Sequence, residues 1–208
     1  MIHETAVISE GAQLADGVTI GPYSIIGPDV SIASGTIIES HVLITGRTSI
    51  GQDNHIYSFS SIGDHPQDMK YKDEDTELEI GDRNTIREYC TINKGSIQDT
   101  GVTRLGNDNW IMAYVHLAHD CQIGNNTIFA NNTTLAGHVE VGDYAIFGGF
   151  SGAHQFCKIG CHSFLGMYSG VSRDLPPYVI VTGQPAIPRG INLEGLKRRD
   201  FNPDQIRN

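Results

Sequence analysis

Histidine side chains are the first candidates for chemistry in this sequence of 208 residues. His116, His119, His138 and His154 fall in one short stretch of the chain, and Asp120 directly follows His119. An imidazole accepts a proton near neutral pH, and a neighbouring carboxylate can fix its tautomer. The cluster therefore predicts a general base. Three histidines on one scaffold also suit zinc, so a metal site on His116, His119 and His138 is an alternative.

A repeat of six residues predicts the scaffold that positions these histidines. Aliphatic anchors recur at every sixth position over residues 2–62 and 80–92, and again over 105–171 with a shift of one residue. Short strands and corners that stack on their neighbours predict an all-β protein, a parallel β-helix. Three repeats per turn make a triangular prism, and hexapeptide-repeat proteins of this kind are left-handed.

Interruptions of the repeat predict the layout of the chain. We expect the β-helix over residues 1–175, with loops 63–79 and 93–104 expelled from it, and a C-terminal segment over 176–208. Two prolines at 176–177 cannot donate to a strand ladder. The run Asn202-Pro203-Asp204-Gln205 is typical of a helix start. Since the sequence stops three residues after Gln205, it predicts a short, truncated helical tail.

Stacking places a second chemical group beside His119. Residues 18 apart lie above one another in such a prism, separated by about 4.8 Å. Gly137 therefore lies one coil above His119, with His138 beside it, and Gln155 lies a further coil above. A base next to a backbone N–H resembles the two halves of an acyl-transfer site, because the N–H can stabilise an oxyanion.

Composition excludes several classes of function. The net charge is −10, which disfavours nucleic acid and anionic membranes as general partners. No apolar run reaches the roughly 18 residues that a membrane span needs, and no signal peptide is evident, so we expect a cytoplasmic protein without membrane insertion. Residues 189–208 carry five basic and three acidic groups, a local positive charge suited to an acidic partner. Three of the four cysteines, Cys90, Cys121 and Cys157, lie on the inward stripe of the repeat and are expected in the core.

Six motifs occur in order at residues 66–71, 79–88, 116–121, 135–138, 154–157 and 192–199. Together they resemble the UDP-N-acetylglucosamine 3-O-acyltransferases of lipid A and lipopolysaccharide biosynthesis. The resemblance implies a homotrimer with active sites between subunits. It also implies transfer of an (R)-3-hydroxyacyl group from acyl carrier protein to the 3-hydroxyl of UDP-N-acetylglucosamine. No cofactor is implied beyond the phosphopantetheine of the carrier, and no metal.

The resemblance also implies roles for individual residues. His119 matches the general base, Asp120 its orienting carboxylate and Gly137 the oxyanion donor. Met167 matches the floor of the acyl groove, which predicts a short acyl chain of roughly ten to twelve carbons. Residues that match substrate contacts are Gln67, Asp68, Lys70, His116, His138, His154, Gln155, Asn192, Glu194, Arg198 and Arg199.

Three alternatives stay open at the level of sequence. A hexapeptide zinc protein of carbonic-anhydrase type would use the histidines as ligands. A trimer that binds sugar nucleotides without catalysis would lack acyl transfer. Within the acyltransferase interpretation, the acceptor is either UDP-N-acetylglucosamine or its 3-amino analogue, since the two differ at the single atom presented to the base.

Overall fold

A computed structural model describes residues 1–207, which wind into a left-handed parallel β-helix with three faces, as the repeat predicts. Face I contains β1 (Val7–Ile8), β4 (Ile25–Ile26), β7 (Leu43–Ile44), β10 (Ser61–Asp64), β13 (Thr91–Asn93), β16 (His116–Leu117), β19 (Thr134–Leu135), β22 (Gly152–Ala153) and β25 (Gly170–Val171). Face II contains β2 (Gln13–Leu14), β5 (Val30–Ile32), β8 (Arg47–Ile50), β11 (Glu77–Ile80), β14 (Val102–Leu105), β17 (Gln122–Ile123), β20 (Glu140–Val141) and β23 (Lys158–Ile159). Face III contains β3 (Thr19–Ile20), β6 (Ile37–Ile38), β9 (His55–Ile56), β12 (Thr85–Ile86), β15 (Trp110–Ile111), β18 (Ile128–Phe129), β21 (Ile146–Phe147), β24 (Phe164–Leu165), β26 (Val179–Thr182) and β27 (Ile187–Ile191).

The apolar anchors of the repeat, mostly aliphatic residues with Phe129 and Phe147, form the core of the prism. Each anchor pairs with the anchor one coil away, as in Ile20 with Ile38 and Phe129 with Phe147. All four of these side chains are buried. Burial of such a side chain contributes roughly 1.5–3 kcal/mol relative to exposure, so the stacked anchors are the main source of stability along the prism.

Three corners join the faces, and we name them for their contents. The histidine edge leads from face I to face II and carries Asp120 and His138. The tail edge leads from face II to face III and carries Tyr144. The aromatic edge leads from face III to face I and carries Tyr114. These corner residues have φ near +60°, a conformation that directs one side chain outward from each coil in a vertical column.

A buried polar ladder runs inside the tail edge. Asn54 Oδ1 accepts from the backbone N–H of Asn84, Asn84 Oδ1 from that of Asn109, and Asn109 Oδ1 from that of Thr127. Each amide also donates to a backbone carbonyl. Buried polar groups are tolerated when they are hydrogen-bonded, and this ladder ties successive coils together.

The expelled loops are shorter than the sequence predicted. Four-residue strands at Ser61–Asp64, Glu77–Ile80 and Val102–Leu105 pair beyond the repeat core. The excursions are therefore 65–76 and 94–101 instead of 63–79 and 93–104. Both leave face I and re-enter at face II, so both lie on the histidine edge.

The strand ladder also continues past the predicted boundary at residue 175. Leu175 bridges to Ile159, and Val179–Thr182 pairs in parallel with β24. The prolines at 176–177 lie in the corner between Leu175 and the strand Val179–Thr182. No ladder hydrogen bond is needed in that corner, so the prolines do not end the β-helix. The last strand, β27, pairs antiparallel with β26.

Two short helices follow the strands. The first, α1 (Leu193–Lys197), was not anticipated from the sequence. The second, α2 (Pro203–Arg207), begins where the sequence predicts: Asn202 Oδ1 accepts from the backbone of Gln205, whose side chain accepts from the backbone of Asn202. This reciprocal pair is a capping box. Neither helix has the length and apolar character needed to cross a membrane, and the described residues include no other that does.

Candidate functional site

The centre of the histidine edge is a hydrogen-bonded pair formed by His119 and Asp120. Nδ1 of His119 lies 2.8 Å from Oδ2 of Asp120, whose side chain is fully buried. The carboxylate also accepts from the backbone N–H of Ser96 at 3.0 and 3.1 Å and from its hydroxyl at 2.7 Å. Burial alone would raise the pKa of Asp120, but the hydrogen bonds from His119 and Ser96 outweigh it and lower the pKa. The ionised Asp120 thus holds His119 through Nδ1, and this contact leaves Nε2 of His119 free.

Gly137 lies directly against the ring of His119, as the stacking arithmetic predicts. A Cβ placed on Gly137 would lie 2.8 Å from Nε2 and 2.6 Å from Cε1 of His119, so no side chain fits there. The carbonyl of Gly137 accepts from the backbone of Phe156. Its N–H finds no acceptor among residues 1–207. A base nitrogen and a free backbone donor are therefore adjacent.

His138 packs against the His119–Asp120 pair from the coil above. Its ring meets that of His119 edge-on at 4.9 Å and stacks on Phe156 at 4.4 Å. Its Nδ1 lies 3.0 Å from Oδ2 of Asp99 and 3.9 Å from Oδ2 of Asp120. Loop 94–101 is therefore attached to the site twice, through Ser96 and through Asp99.

His116 and His154 flank this centre on face I and at its corner. Nδ1 of His116 lies 2.7 Å from the hydroxyl of Thr91, and burial, together with the neighbouring His119, lowers its pKa. His154 is exposed, and its Nδ1 lies 3.2 Å from the carbonyl of Gln155. The predicted residues His116, His119, His138, His154 and Gln155 thus lie together on one edge.

The possible metal ligands differ from those expected from sequence. The histidines at 119 and 138 and Asp120 have ligand atoms within 4.8 Å of one another, whereas His116 is bound to Thr91 and is outside the group. In this group the histidine nitrogens nearest the carboxylate are both Nδ1, and the carboxylate already accepts hydrogen bonds from His119 and Ser96. Because Asp120 is bonded to His119 and Ser96, and Nδ1 of His138 is bonded to Asp99, the arrangement fits an orienting carboxylate better than a cation site.

The first loop carries three of the predicted substrate contacts at the same edge. Asp68 accepts from the backbone of Lys70 at 3.0 Å, while the side chains of Gln67 and Lys70 are exposed. The two loops contact each other through Lys94, whose ammonium lies 5.5 Å from the ring centre of Tyr71. The two loops therefore pack together along one side of the histidine edge.

The predicted nucleotide contacts lie on a different edge. Asn192 precedes α1, and its side chain donates to the carbonyl of His162 at the tail edge. Glu194 and Arg198 are exposed on α1 and directly after it, and Arg199 donates to the carbonyl of Tyr144, also on the tail edge. Within one chain, face II separates these residues from His119. The structure therefore does not bring the two halves of the predicted site together in a single subunit.

A shallow groove of about 700 Å³ runs up face I from the histidine edge. Its floor has Thr134, Gly152 and Gly170 in successive coils, and Phe150 and Tyr168 of the aromatic edge form one side. Met167 precedes Tyr168 at that corner and is 60% exposed. Gly152 leaves room for an apolar chain against the sheet, whereas the side chain of Gln184 fills the space beside Gly170.

Comparisons with known proteins agree with this geometry. The family model for bacterial transferase hexapeptide repeats matches residues 11–46 and 103–137, and that for UDP N-acetylglucosamine O-acyltransferase, domain 2, matches 174–208. Curated acyl-[acyl-carrier-protein]–UDP-N-acetylglucosamine O-acyltransferases are similar over 99% of the chain. The relative from Herminiimonas arsenicoxydans is 56% identical and covered over 79% of its length; that from Albidiferax ferrireducens is 60% identical and covered over 78%. The chain belongs to the UDP-N-acetylglucosamine O-acyltransferase family.

Solved structures extend the likeness to three dimensions. The UDP-N-acetylglucosamine acyltransferase of Francisella novicida superimposes with a TM-score of 0.98 at 46% identity, covering 100% of this chain and 76% of that one. The UDP-N-acetylglucosamine O-acyltransferase of Moraxella catarrhalis gives 0.97 at 47% identity, covering 99% and 80%. The chain is thus an acyltransferase of the UDP-N-acetylglucosamine O-acyltransferase family with the prism of its relatives.

Sequence reasoning missed three residues of this candidate site. Ser96 and Asp99 reach Asp120 and His138 from an expelled loop, and Phe156 stacks on His138. Phe156 was within reach of the 18-residue rule, because it follows His138 by that interval. The loop contacts carried no periodic signal.

Cysteine chemistry is disfavoured at this site. Cys90, Cys121 and Cys157 are buried in the core, as the inward stripe predicts. Burial raises the pKa of Cys90 and of Cys121 to about 12, and a protonated thiol is a poor nucleophile.

Proposed function

We propose that this protein transfers an (R)-3-hydroxyacyl group from acyl carrier protein to the 3-hydroxyl of UDP-N-acetylglucosamine, an early step of lipid A biosynthesis. The observation that carries the proposal is the contact of the His119–Asp120 pair with the backbone of Gly137. The names of the relatives supply the substrate class.

The proposed mechanism uses this chain's own residues for each proton and charge. Nε2 of His119 removes the proton of the 3-hydroxyl, and the oxygen attacks the carbonyl carbon of the thioester. The carbonyl electron pair moves onto its oxygen, where the N–H of Gly137 donates to the oxyanion. Collapse breaks the carbon–sulfur bond, and the departing phosphopantetheine thiolate takes the proton back from His119. Asp120 stabilises the imidazolium that exists between these steps.

The surrounding polar residues suit recognition of the acceptor and donor. His116, His138, His154 and Gln155 line the same edge as the base, and we assign them to the sugar and the thioester. Gln67, Asp68 and Lys70 of loop 65–76 are assigned to the donor and the sugar nucleotide. Asn192, Glu194, Arg198 and Arg199 belong to the nucleotide end, where an arginine fork suits a diphosphate.

A homotrimer is part of the proposal, because one chain holds the two half-sites on different edges. A threefold rotation that packs face I of one prism on face III of the next places the histidine edge of the first beside the tail edge of the second. The base and the nucleotide residues then meet in one cleft, between subunits. The same packing directs the aromatic edge toward the threefold axis.

The aromatic edge has the character of a buried seam. Tyr23, His41, Phe59, Tyr89 and Tyr114 form a continuous stack with ring centres 4.9–5.1 Å apart. Between 46% and 61% of each of its Tyr and Phe residues is exposed in the single chain. A continuous exposed aromatic column is characteristic of an interaction surface, and its position supports contact with further copies of this chain.

We assign the acyl chain to the groove on face I. It begins at Thr134, one coil from His116, and passes Gly152 toward Gly170 and Gln184. An apolar chain extending from the thioester would lie along it, covered by the neighbouring subunit. Met167 directly precedes Tyr168, which forms one side of this groove, and we assign it as the residue that limits chain length and favours a short acyl group.

The charge distribution and the thiol state of the cysteines support the proposed partner and compartment. Acyl carrier protein is acidic, and residues 189–208 carry five basic and three acidic groups, which favours its approach despite the net charge of −10. No cofactor is proposed beyond the carrier's phosphopantetheine. All four cysteines are free thiols, consistent with a reducing cytoplasm.

The test is incubation of the protein with UDP-N-acetylglucosamine, its 3-amino analogue and a series of 3-hydroxyacyl carrier proteins, with products resolved by mass. The proposal expects an ester product from the first acceptor and a preference for short acyl chains. Amide formed only from the 3-amino analogue would change the acceptor. Binding of the sugar nucleotide without any transfer would favour the non-catalytic trimer. Tightly bound stoichiometric zinc in the purified protein would overturn the mechanism in favour of a carbonic-anhydrase type of site.

A further inference from the structure

Three aromatic rings on the tail edge form a platform that we call the tail seat. Tyr144, His162 and Tyr178 stack in successive coils, with ring centres 4.8 and 5.4 Å apart and interplanar angles of 14° and 17°. Phe201, which follows α1, meets His162 edge-on at 5.2 Å. The tail seat is part of the rigid prism, whereas α1 has only five residues and cannot be stable alone.

The tail seat holds the start of α1 through Asn192. The backbone N–H of Asn192 donates to Tyr178 at 2.7 Å, and its side-chain amide donates to the carbonyl of His162 at 2.9 Å. Its Oδ1 accepts from the backbone of Gly195, which caps the helix. Asn192 is buried, and this contact uses its polar atoms within the protein.

The tail seat holds the end of α1 through Arg199. The guanidinium carbon lies 5.0 Å from the ring centre of Tyr144, and the group donates to the carbonyls of Gly195 and Tyr144 at 3.2 and 3.3 Å. Burial lowers the pKa of Arg199. One fork of donors thus joins the helix to the prism and is occupied by that contact.

Arg198 differs from its neighbour in every one of these respects. It is exposed, and its side chain makes no hydrogen bond or ion pair within the described part of the chain. The backbone N–H of Arg198 donates to the carbonyl of Glu194, so the residue is fixed to the end of α1. A fixed backbone with an unoccupied guanidinium is suited to meet an anion.

We infer that the two adjacent arginines divide their tasks. Arg198 contacts the diphosphate of the sugar nucleotide, whereas Arg199, with Asn192 and the tail seat, is a positioning residue that holds Arg198 in place without touching the ligand. The inference rests on the proposed function, which supplies the nucleotide, and it refines the resemblance, which implies nucleotide contacts for both arginines. It explains why a phosphate-binding segment needs two cations of which only one is free.

Lysine substitutions separate the two roles. Lysine keeps the positive charge but cannot stack flat on a ring and donate as a planar fork. In the full chain, with UDP as the probe in calorimetry, we expect Arg198→Ala to lose about tenfold or more in affinity and Arg198→Lys to lose clearly less, because lysine keeps the charge but not the fork. Arg199→Lys is expected to weaken UDP binding about as much as Arg199→Ala, because charge alone does not hold α1 on the tail seat.

A double-mutant cycle supplies the second test. If Arg199 acts through Arg198, the Arg198→Ala, Arg199→Ala protein binds UDP no more weakly than Arg198→Ala alone. Tyr144→Asn, which tolerates the corner conformation but removes the ring, should reproduce the loss caused by Arg199→Ala. Tyr144→Phe, which keeps the ring, should bind UDP like the wild type. Thermal unfolding of each variant verifies that the prism is folded.

Two kinds of result contradict the inference, and they are distinguishable. Losses that add in the double variant, or an Arg199→Lys protein with wild-type affinity, would show that Arg199 contacts the nucleotide directly and would overturn the division of tasks alone. A wild-type protein that does not bind UDP would overturn the nucleotide assignment of the proposed function as well.

Discussion

His119 and Asp120 are consecutive in the chain, yet their side chains meet at 2.8 Å between Nδ1 and Oδ2. Asp120 has φ of +59°, the conformation shared by the corner residues of the prism. The same carboxylate binds Ser96 of loop 94–101. One buried carboxylate therefore orients His119 and holds the loop beside it.

Replacement of His119 by alanine tests the general base. We expect kcat to fall by about a hundredfold or more, since general-base catalysis contributes on that order. The melting temperature should fall only modestly, because His119 is not a core anchor and Asp120 keeps its hydrogen bonds from Ser96. Steady-state kinetics and thermal unfolding measure the two effects. His3→Ala, an exposed histidine at the first coil, serves as control, and a His119→Ala enzyme with near-normal turnover would refute the mechanism.

Replacement of Asp120 by asparagine tests the buried charge through pH. The pKa of Asp120 is lowered in the folded protein, so its contribution to the free energy of unfolding is present above its ordinary value of 3.8 and is lost as pH falls through the lowered pKa. Asp120→Asn should therefore be less stable than the wild type at pH 7, with a smaller further loss in acid. Its kcat should fall at least about tenfold.

Urea unfolding between about pH 7 and pH 3 measures this loss of stability in acid. The matched control is Asp16→Asn, an exposed carboxyl on the surface, which should follow the wild-type curve. If Asp120→Asn loses as much stability in acid as the wild type does, the lowered pKa of Asp120 is not the cause of that loss.

A charge on the aromatic edge tests the trimer. Tyr114→Asp keeps a residue that tolerates positive φ but places a carboxylate in the stack between neighbouring rings. Light scattering at micromolar concentration should show dissociation, and transfer activity should fall with it, because each cleft needs two subunits. Gln13→Glu on face II adds the same charge away from the seam and should remain trimeric. A wild-type monomer with full activity would contradict the assembly.

Glycine at position 167 tests the length of the acyl groove. Met167→Gly removes the side chain next to Tyr168, which forms one side of the groove. We therefore expect the enzyme to prefer 3-hydroxyacyl donors with a longer acyl chain. Competition between carrier proteins bearing different chains, with products analysed by mass, measures the preference. Met167→Leu keeps the volume and should retain the short-chain optimum. An unchanged profile in Met167→Gly would place the end of the groove elsewhere.

The sequence alone was sufficient for the prism, and the reason is local. Every anchor from Leu105 to Val171 faces inward at the same phase of a six-residue repeat, and stacking on the next coil follows from that period. The proximity of His119 and Gly137 follows from the same arithmetic. The capping box at Asn202 is likewise encoded in adjacent residues.

Tertiary structure alone decided the contacts that the repeat does not encode. Ser96 and Asp99 reach the histidine edge from a loop whose path depends on which coils it bridges, and the arginines at 198 and 199 have different environments because only one of them lies on Tyr144. A sequence motif places the two arginines side by side and cannot tell them apart. The assignment of outward residues to three separate edges also emerged only in three dimensions, since a period of six fixes which side chains face inward but not which distant segments cover those that face out.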